Sequence, residues 1–161
     1  MIENLNASIK METGINNDVF FDALAIRKTV FVNEQSVPEQ NELDEWDDTA
    51  VHFVTYINDI PVATARVYLF KQSAKICRIA VIKEHRGCGL AKKLCKYCID
   101  YIESAGYPLV FLHSQTYIKD LYESLGFAVE GDEFLEENIP HIKMVKHLNA
   151  EIREPKSNTN S

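Results

Sequence analysis

The run Val81-Ile82-Lys83-Glu84-His85-Arg86-Gly87-Cys88-Gly89-Leu90-Ala91 takes an apolar strand through a glycine-bearing turn straight into an amphipathic helix. That order of elements binds anions. The first turn of a helix has N–H groups without intrahelical partners and the positive end of the helix dipole, and glycine lets a phosphate approach the backbone closely. Between residues 83 and 96, Lys83, Arg86, Lys92, Lys93 and Lys96 face one acid, Glu84, although the whole chain has a net charge of −7. So local an excess suggests a particular anion, while lysines along an exposed helix face are its plain alternative. Neither G-x-G-x-x-G nor G-x-x-x-x-G-K-[ST] is present, so the loop is of another kind than the dinucleotide and triphosphate loops.

Cys95-x-x-Cys98 has the spacing of a redox pair or half a zinc site, but no second cysteine pair or well-spaced histidine completes four ligands. Core packing is expected of this pair, and no metal. Cys88 lies ahead of a helix N-terminus, where a thiol loses its proton more readily; modification there would be incidental.

The elements that must position the loop follow from periodicity and turn signals. Residues 6–12 read as a strand, and Asn16-Asn17-Asp18 caps a helix that carries Phe20, Ala23, Leu24, Arg27, Val30 and Phe31 and ends near Val32. From Asn33 to Asp48 the chain is acidic and irregular, with Glu34, Glu39, Glu42, Asp44, Glu45, Asp47 and Asp48, a pattern that ordinarily makes a solvated loop. Residues 52–57 and 60–70 form a hairpin about Asn58-Asp59, and 75–82 adds a third strand. A helix from Leu90 to Ile102 stops at Gly106, residues 109–112 make a central strand, and Thr116–Leu125 is a helix stopped by Gly126. Residues 127–130 and 142–146 close the sheet, which gives an α+β or α/β class.

Composition narrows the partners. Twenty-four acids against 17 bases repel phosphate backbones and bilayers, which argues against nucleic acid and membrane. No apolar run approaches the ~20 residues of a span, and Met1-Ile2-Glu3-Asn4-Leu5-Asn6 lacks a signal pattern, so a cytoplasmic protein with reduced cysteines is expected.

Read as R-x-x-G-x-[GA], Arg86, Gly89 and Ala91 match the cofactor loop of the GNAT superfamily of N-acetyltransferases, and Ile79-Ala80-Val81 resembles its pantetheine-pairing strand. Tyr122-Glu123-Ser124-Leu125-Gly126-Phe127 resembles the family's Tyr-x-x-x-Gly-Phe ending of the next helix. Over residues 23–147, Arg27-x-x-Val30-Phe31-Val32-x-Glu34-Gln35-x-Val37, Glu42-x-Asp44-x-x-Asp47, His52 and Gly131-x-x-Phe134-x-Glu136-x-x-Ile139-Pro140-His141-x-x-Met144 resemble the ElaA-like subgroup. Two positions depart from the superfamily pattern: Gln115 stands for a cofactor-contacting Asn on the helix before Tyr122, and Lys83 for a common Pro.

The resemblance implies a mixed sheet flanked by helices and splayed near its middle, with acetyl-CoA between the strand ending at Val81 and the one beginning at Leu109. One domain over residues 1–148 and a flexible polar tail over 149–161 are expected. The cofactor residues it implies are Ile79, Ala80, Val81, Arg86, Gly87, Cys88, Gly89, Leu90, Ala91 and Gln115, and the basic loop fits a pyrophosphate and a 3′-phosphate. Transfer to an amine needs a polarised carbonyl, a proton for the departing thiolate and an acceptor for the amine proton. By resemblance Tyr122 stands near the sulfur, with a core tyrosine as its alternative. Glu34, Glu42, Asp44, Glu136, His113 and His141 are all candidates to take the amine proton. His141, expected at the start of the last strand, and Glu34 are preferred, the latter because an acid at a helix C-terminus opposes the dipole. The implied activity is direct acetyl transfer to a primary amine, of a small molecule, amino sugar or peptide, by a monomer or homodimer. The acidic segment suits a cationic acceptor. A non-catalytic acyl-CoA-binding regulatory module is the second reading.

Overall fold

The computed structural model describes residues 6–149, so the expected polar tail, apart from Asn149, lies outside the described residues. Contacts among the described residues form two units, 6–68 with 77–95, and 69–76 with 96–149.

In the first unit, β1 (Ala7–Thr13) pairs antiparallel with β2 (Val51–Ile57), which continues into β3 (Ile60–Leu69). The two residues between β2 and β3, Asn58 and Asp59, both have left-handed φ, 51° and 67°, the requirement of a tight hairpin whose twist matches its strands. Helix α1 (Asp18–Arg27) starts where the Asn17 Oδ1 accepts the Phe20 N–H at 2.7 Å. Its apolar stripe of Val19, Ala23 and Ile26, prolonged by Val30, packs on Val54, Tyr56 and Ala80. The expected single helix to Val32 instead becomes a π-helical stretch, Lys28–Glu34, after Arg27. The acidic segment is more ordered than expected: a single turn, α2 (Glu39–Glu42), and a 3-10 turn over Glu45–Asp48. β4 (Ala74–Val81) enters this unit at Cys77, and α3 (Leu90–Ser104) begins in it.

In the second unit the first residues of β4 pair in parallel with β5 (Leu109–Gln115), Ala74 with Val110 through Ile76 with Leu112. β8 (Ile139–His147) runs antiparallel along the whole of β5. β6 (Ala128–Val129) and β7 (Phe134–Glu136) both pair with β8. The strand order is β1-β2-β3-β4-β5-β8-β6, a mixed sheet. Strand alternation buries Val110, Leu112 and Ser114 and leaves Phe111, His113 and Gln115 half-buried on the opposite face. Three expectations need correction here. β5 is longer than 109–112, so Gln115 ends a strand rather than sitting on a helix. The helix over 116–125 is a 3-10 turn, Thr116–Ile118, followed by the short α4 (Lys119–Glu123). β7 was not expected at all, because three residues are too few for a periodicity.

Candidate active site

The loop that leaves β4 is built from local bonds. Val81 ends the strand, a 3-10 turn over Lys83–His85 reverses the chain, and the Arg86 N–H donates to the Lys83 carbonyl at 3.3 Å. Leu90 is buried against Ile57 and Val62, with Val81 and Ile82 beside it, so its side chain fastens the loop and only its backbone is left for a ligand. Ala80 is likewise turned into the core beneath α1. Gly87 and Gly89 have φ of 84° and 82°, a region that side chains rarely adopt, and no atom lies within 4 Å of where a β-carbon would stand. Open space thus lies beside two glycines ahead of a helix of 15 residues, an arrangement that can receive an anion. Cys88 is exposed on the same loop, and Ala91, half-buried, lies in the first turn of α3.

Arg86 itself is occupied: its Nε donates to the Val81 carbonyl at 2.8 Å and its Nη2 to Glu34 Oε1 at 2.7 Å. Glu34, expected on the acceptor side, is thus the partner of Arg86 on the glycine loop. The unfavourable position of this acid at the end of a helical stretch is offset by that guanidinium.

Glu42 and Asp44 are not free carboxylates on a solvated loop. Arg27 donates Nε to Glu42 Oε2 and Nη1 to Asp47 Oδ1, the latter at 2.8 Å, with all three side chains buried. Arg66 Nη1 holds Asp44 Oδ1 at 2.7 Å and Asp47 Oδ1 at 3.0 Å, and Arg78 Nη2 reaches Asp44 Oδ2 at 3.2 Å. Burial alone would raise the Asp47 carboxyl, but its hydrogen bonds to Arg27 and the Asp44 N–H, with the charges of Arg27 and Arg66, hold it at about 2. A carboxylate so held is no proton acceptor. His52, buried, keeps a ring nitrogen at 3.0 Å from the Asp47 carbonyl, and burial lowers its basicity.

The second unit brings together residues that the sequence left as open alternatives. His113 Nδ1 lies 3.2 Å from Glu136 Oε1. Since a carboxylate accepts, Nδ1 carries the proton and Nε2 is left as the basic nitrogen. The His113 bond holds the Glu136 carboxyl below its usual range, although burial works against it. His141 Nδ1 donates to the Ile139 carbonyl at 2.7 Å, which leaves its Nε2 basic in the same way. The ring of Phe134 stands between them, edge-on to His113 at 5.1 Å and stacked on His141 at 6.1 Å. His141 pairs with Gln115 in the β5–β8 register, inside β8 rather than at its start, and is buried. Tyr122 is buried on α4, its ring edge-on to Phe127 at 6.2 Å. Burial raises the Cys95 thiol to about 12, and Cys98 is also buried, so the Cys-x-x-Cys pair packs in the core as expected.

A mixed sheet with flanking helices, and a strand that passes through a glycine loop into a long helix, define an acyl-CoA N-acyltransferase fold. The acetyltransferase (GNAT) domain model matches residues 17–148, and the chain belongs to that family. It is similar to the uncharacterised protein YyaT of Bacillus subtilis (strain 168), 34% identical over 134 residues that cover 81% of this chain and 90% of that protein. The uncharacterised N-acetyltransferase YjcF of the same organism is 33% identical over 132 residues, covering 81% of this chain and 94% of its own. The crystal structure of Escherichia coli ElaA superposes with a TM-score of 0.78 at 27% identity, over 86% of this chain and 99% of ElaA. The chain is therefore an acyl-CoA-dependent acetyltransferase.

Proposed function

We propose that residues 1–148 work as one domain that moves the acetyl group of acetyl-CoA directly onto a primary amine of a small molecule, an amino sugar or a peptide. The observation that carries this reading is the pair Gly87 and Gly89, both left-handed and open, between β4 and α3. Coenzyme A supplies the acyl group as an activated thioester. The backbone of Ile79–Val81 lines its pantetheine arm, and N–H groups there stabilise charge on the carbonyl oxygen. Gly87–Ala91 and Arg86 hold the pyrophosphate, and the Gln115 amide adds a contact. Tyr122 hydrogen-bonds or protonates the departing sulfur through its phenol hydroxyl. The His141 Nε2 takes the amine proton, directly or through water, and Glu34 orients the amine. Cys95 and Cys98 are buried, so neither offers an accessible thiol to carry the acyl group in a covalent intermediate. A cationic acceptor is no longer supported by the acidic segment, whose Glu42, Asp44 and Asp47 are paired internally. A cytoplasmic monomer or homodimer completes the reading; among the described residues no helix is long and apolar enough to cross a membrane.

The deciding experiment follows coenzyme A thiol release over a panel of amines, with thermal shift by acetyl-CoA in parallel. Thermal stabilisation by acetyl-CoA together with turnover on at least one amine is expected. Stabilisation without turnover on any amine would favour the regulatory module, and no stabilisation would remove the loop from the site.

A further inference from the structure

Arg78 sits inside β4 with φ of 52°, the left-handed region that a residue with a β-carbon occupies only when its surroundings hold it there. Its surroundings are the acidic turn. Nη2 donates to the Glu42 carbonyl at 3.0 Å, to Asp44 Oδ2 at 3.2 Å and to the Asn41 carbonyl at 3.3 Å, and Nε donates to the Glu42 carbonyl at 3.3 Å. The preceding residue is held from the same side: Arg66 Nε donates to Cys77 Sγ at 3.3 Å while Arg66 Nη1 grips Asp44 and Asp47. Both residues at the break in the extended backbone are therefore tied to one turn, residues 41–47. The next three residues are Ile79, Ala80 and Val81.

We infer that Asp44 and Arg78 are positioning residues for the acyl donor: their ion pair fixes the left-handed break in β4 and thereby the direction in which Ile79–Val81 presents its backbone groups. This rests on the reading that Ile79–Val81 lines the thioester arm. The network divides into two parts by burial. Arg27, Glu42 and Asp47 are sealed in the core and hold the fold. The Arg78 and Asp44 side chains remain 23% and 29% exposed, and a pair that open to water adds little to stability. What it does add is a fixed shape at the point where the strand turns toward the loop.

The test uses the full chain with Arg78→Gly and Asp44→Asn. Glycine takes a φ of 52° without strain, so Arg78→Gly keeps the permissive backbone and removes only the grip. For Arg78→Gly the expected result is a melting temperature near that of the parent and a KM for acetyl-CoA raised by about 10–100-fold. kcat at saturating acetyl-CoA should change much less, and Arg78→Lys should recover part of the KM. Asp44→Asn should move KM in the same direction, and it carries the test if Arg78→Gly does not fold. A merely structural pair would lower the melting temperature and leave KM alone. An acetyl-CoA KM within about twofold of the parent in the folded variants overturns the inference. Calorimetry of the parent and Gly89→Val separates the two levels. If the parent binds acetyl-CoA and Gly89→Val does not, while the Arg78 and Asp44 variants match the parent, only this inference fails. If the parent does not bind, the reading beneath it fails as well.

Discussion

Arg86 and Glu34 stand 52 residues apart in the chain and 2.7 Å apart in space, and the same guanidinium also donates to the carbonyl at the end of β4. A phosphate arriving at the loop competes with a carboxylate for this cation. Glu34→Gln should therefore tighten acetyl-CoA binding, by about fivefold at most, because a half-exposed pair is weak. Calorimetry of both proteins at low salt checks it. An unchanged acetyl-CoA affinity with a raised acceptor KM would place Glu34 on the amine side alone.

Gly89→Val should weaken acetyl-CoA binding strongly, since a branched side chain would fill the open space beside the loop. The left-handed φ of 82° adds a folding cost of about 1–3 kcal/mol. Thermal melts and calorimetry on the same samples separate the two effects. Unaltered affinity in the folded variant would exclude the loop.

Tyr122→Phe keeps the ring against Phe127 and removes only the hydroxyl. kcat should fall by about 10²–10⁴-fold with acetyl-CoA affinity retained, the mark of a group that acts on the departing sulfur. Steady-state kinetics with the acceptor found in the amine screen decide it. Near-parental kcat would make Tyr122 a packing residue.

His141→Ala should depress kcat at neutral pH more than at alkaline pH, where free amine is already abundant. A pH–rate profile of the variant beside the parent is the measurement. If the ratio of the two rates is the same across the profile, another group takes the proton, and the His113 Nε2, oriented by Glu136, is the next to replace.

Acid should loosen the first unit through Asp47. Its carboxyl lies at about 2 in the fold against an ordinary 3.8, so the folded state binds fewer protons between these values. The stability it confers is complete above the unfolded value and is lost as the pH falls toward 2. Asp47→Asn should flatten this part of a pH–stability curve and, by leaving Arg27 short of a partner, cost about 3–5 kcal/mol at neutral pH. Denaturant titrations from pH 7 to 2 would show it; parallel curves for the two proteins would assign the acid transition to other carboxylates.

Much of the positioning scaffold was legible because its signals are local. The Asn58-Asp59 hairpin, the cap at Asn17 and the strand–glycine–helix run each depend on neighbours within a few residues. The acidic segment misled for the opposite reason. Its partners Arg27, Arg66 and Arg78 lie 15 to 36 residues away on α1, β3 and β4, and no periodicity reports such pairs. The pairing of His113 with Glu136 was hidden similarly, since it depends on β7, three residues long, folding back beside β8. Glu34 gave a partial hint: an acid at the wrong end of a helical stretch pointed to a role of its own, and the structure gives it Arg86 as a partner, which no local signal announced.

The ion pairs around this turn have a further consequence for long-range attraction. Glu42, Asp44 and Asp47 are matched by Arg27, Arg66 and Arg78, so to an approaching molecule the six together are neutral, and the chain's net charge of −7 is carried by other residues. Such a cluster neither draws cations in from solution nor loses influence as counter-ions accumulate, because its field is spent over a few ångströms. Capture of an acceptor owes nothing at a distance to these six charges, whatever the ionic strength; they act only on groups they meet at contact range.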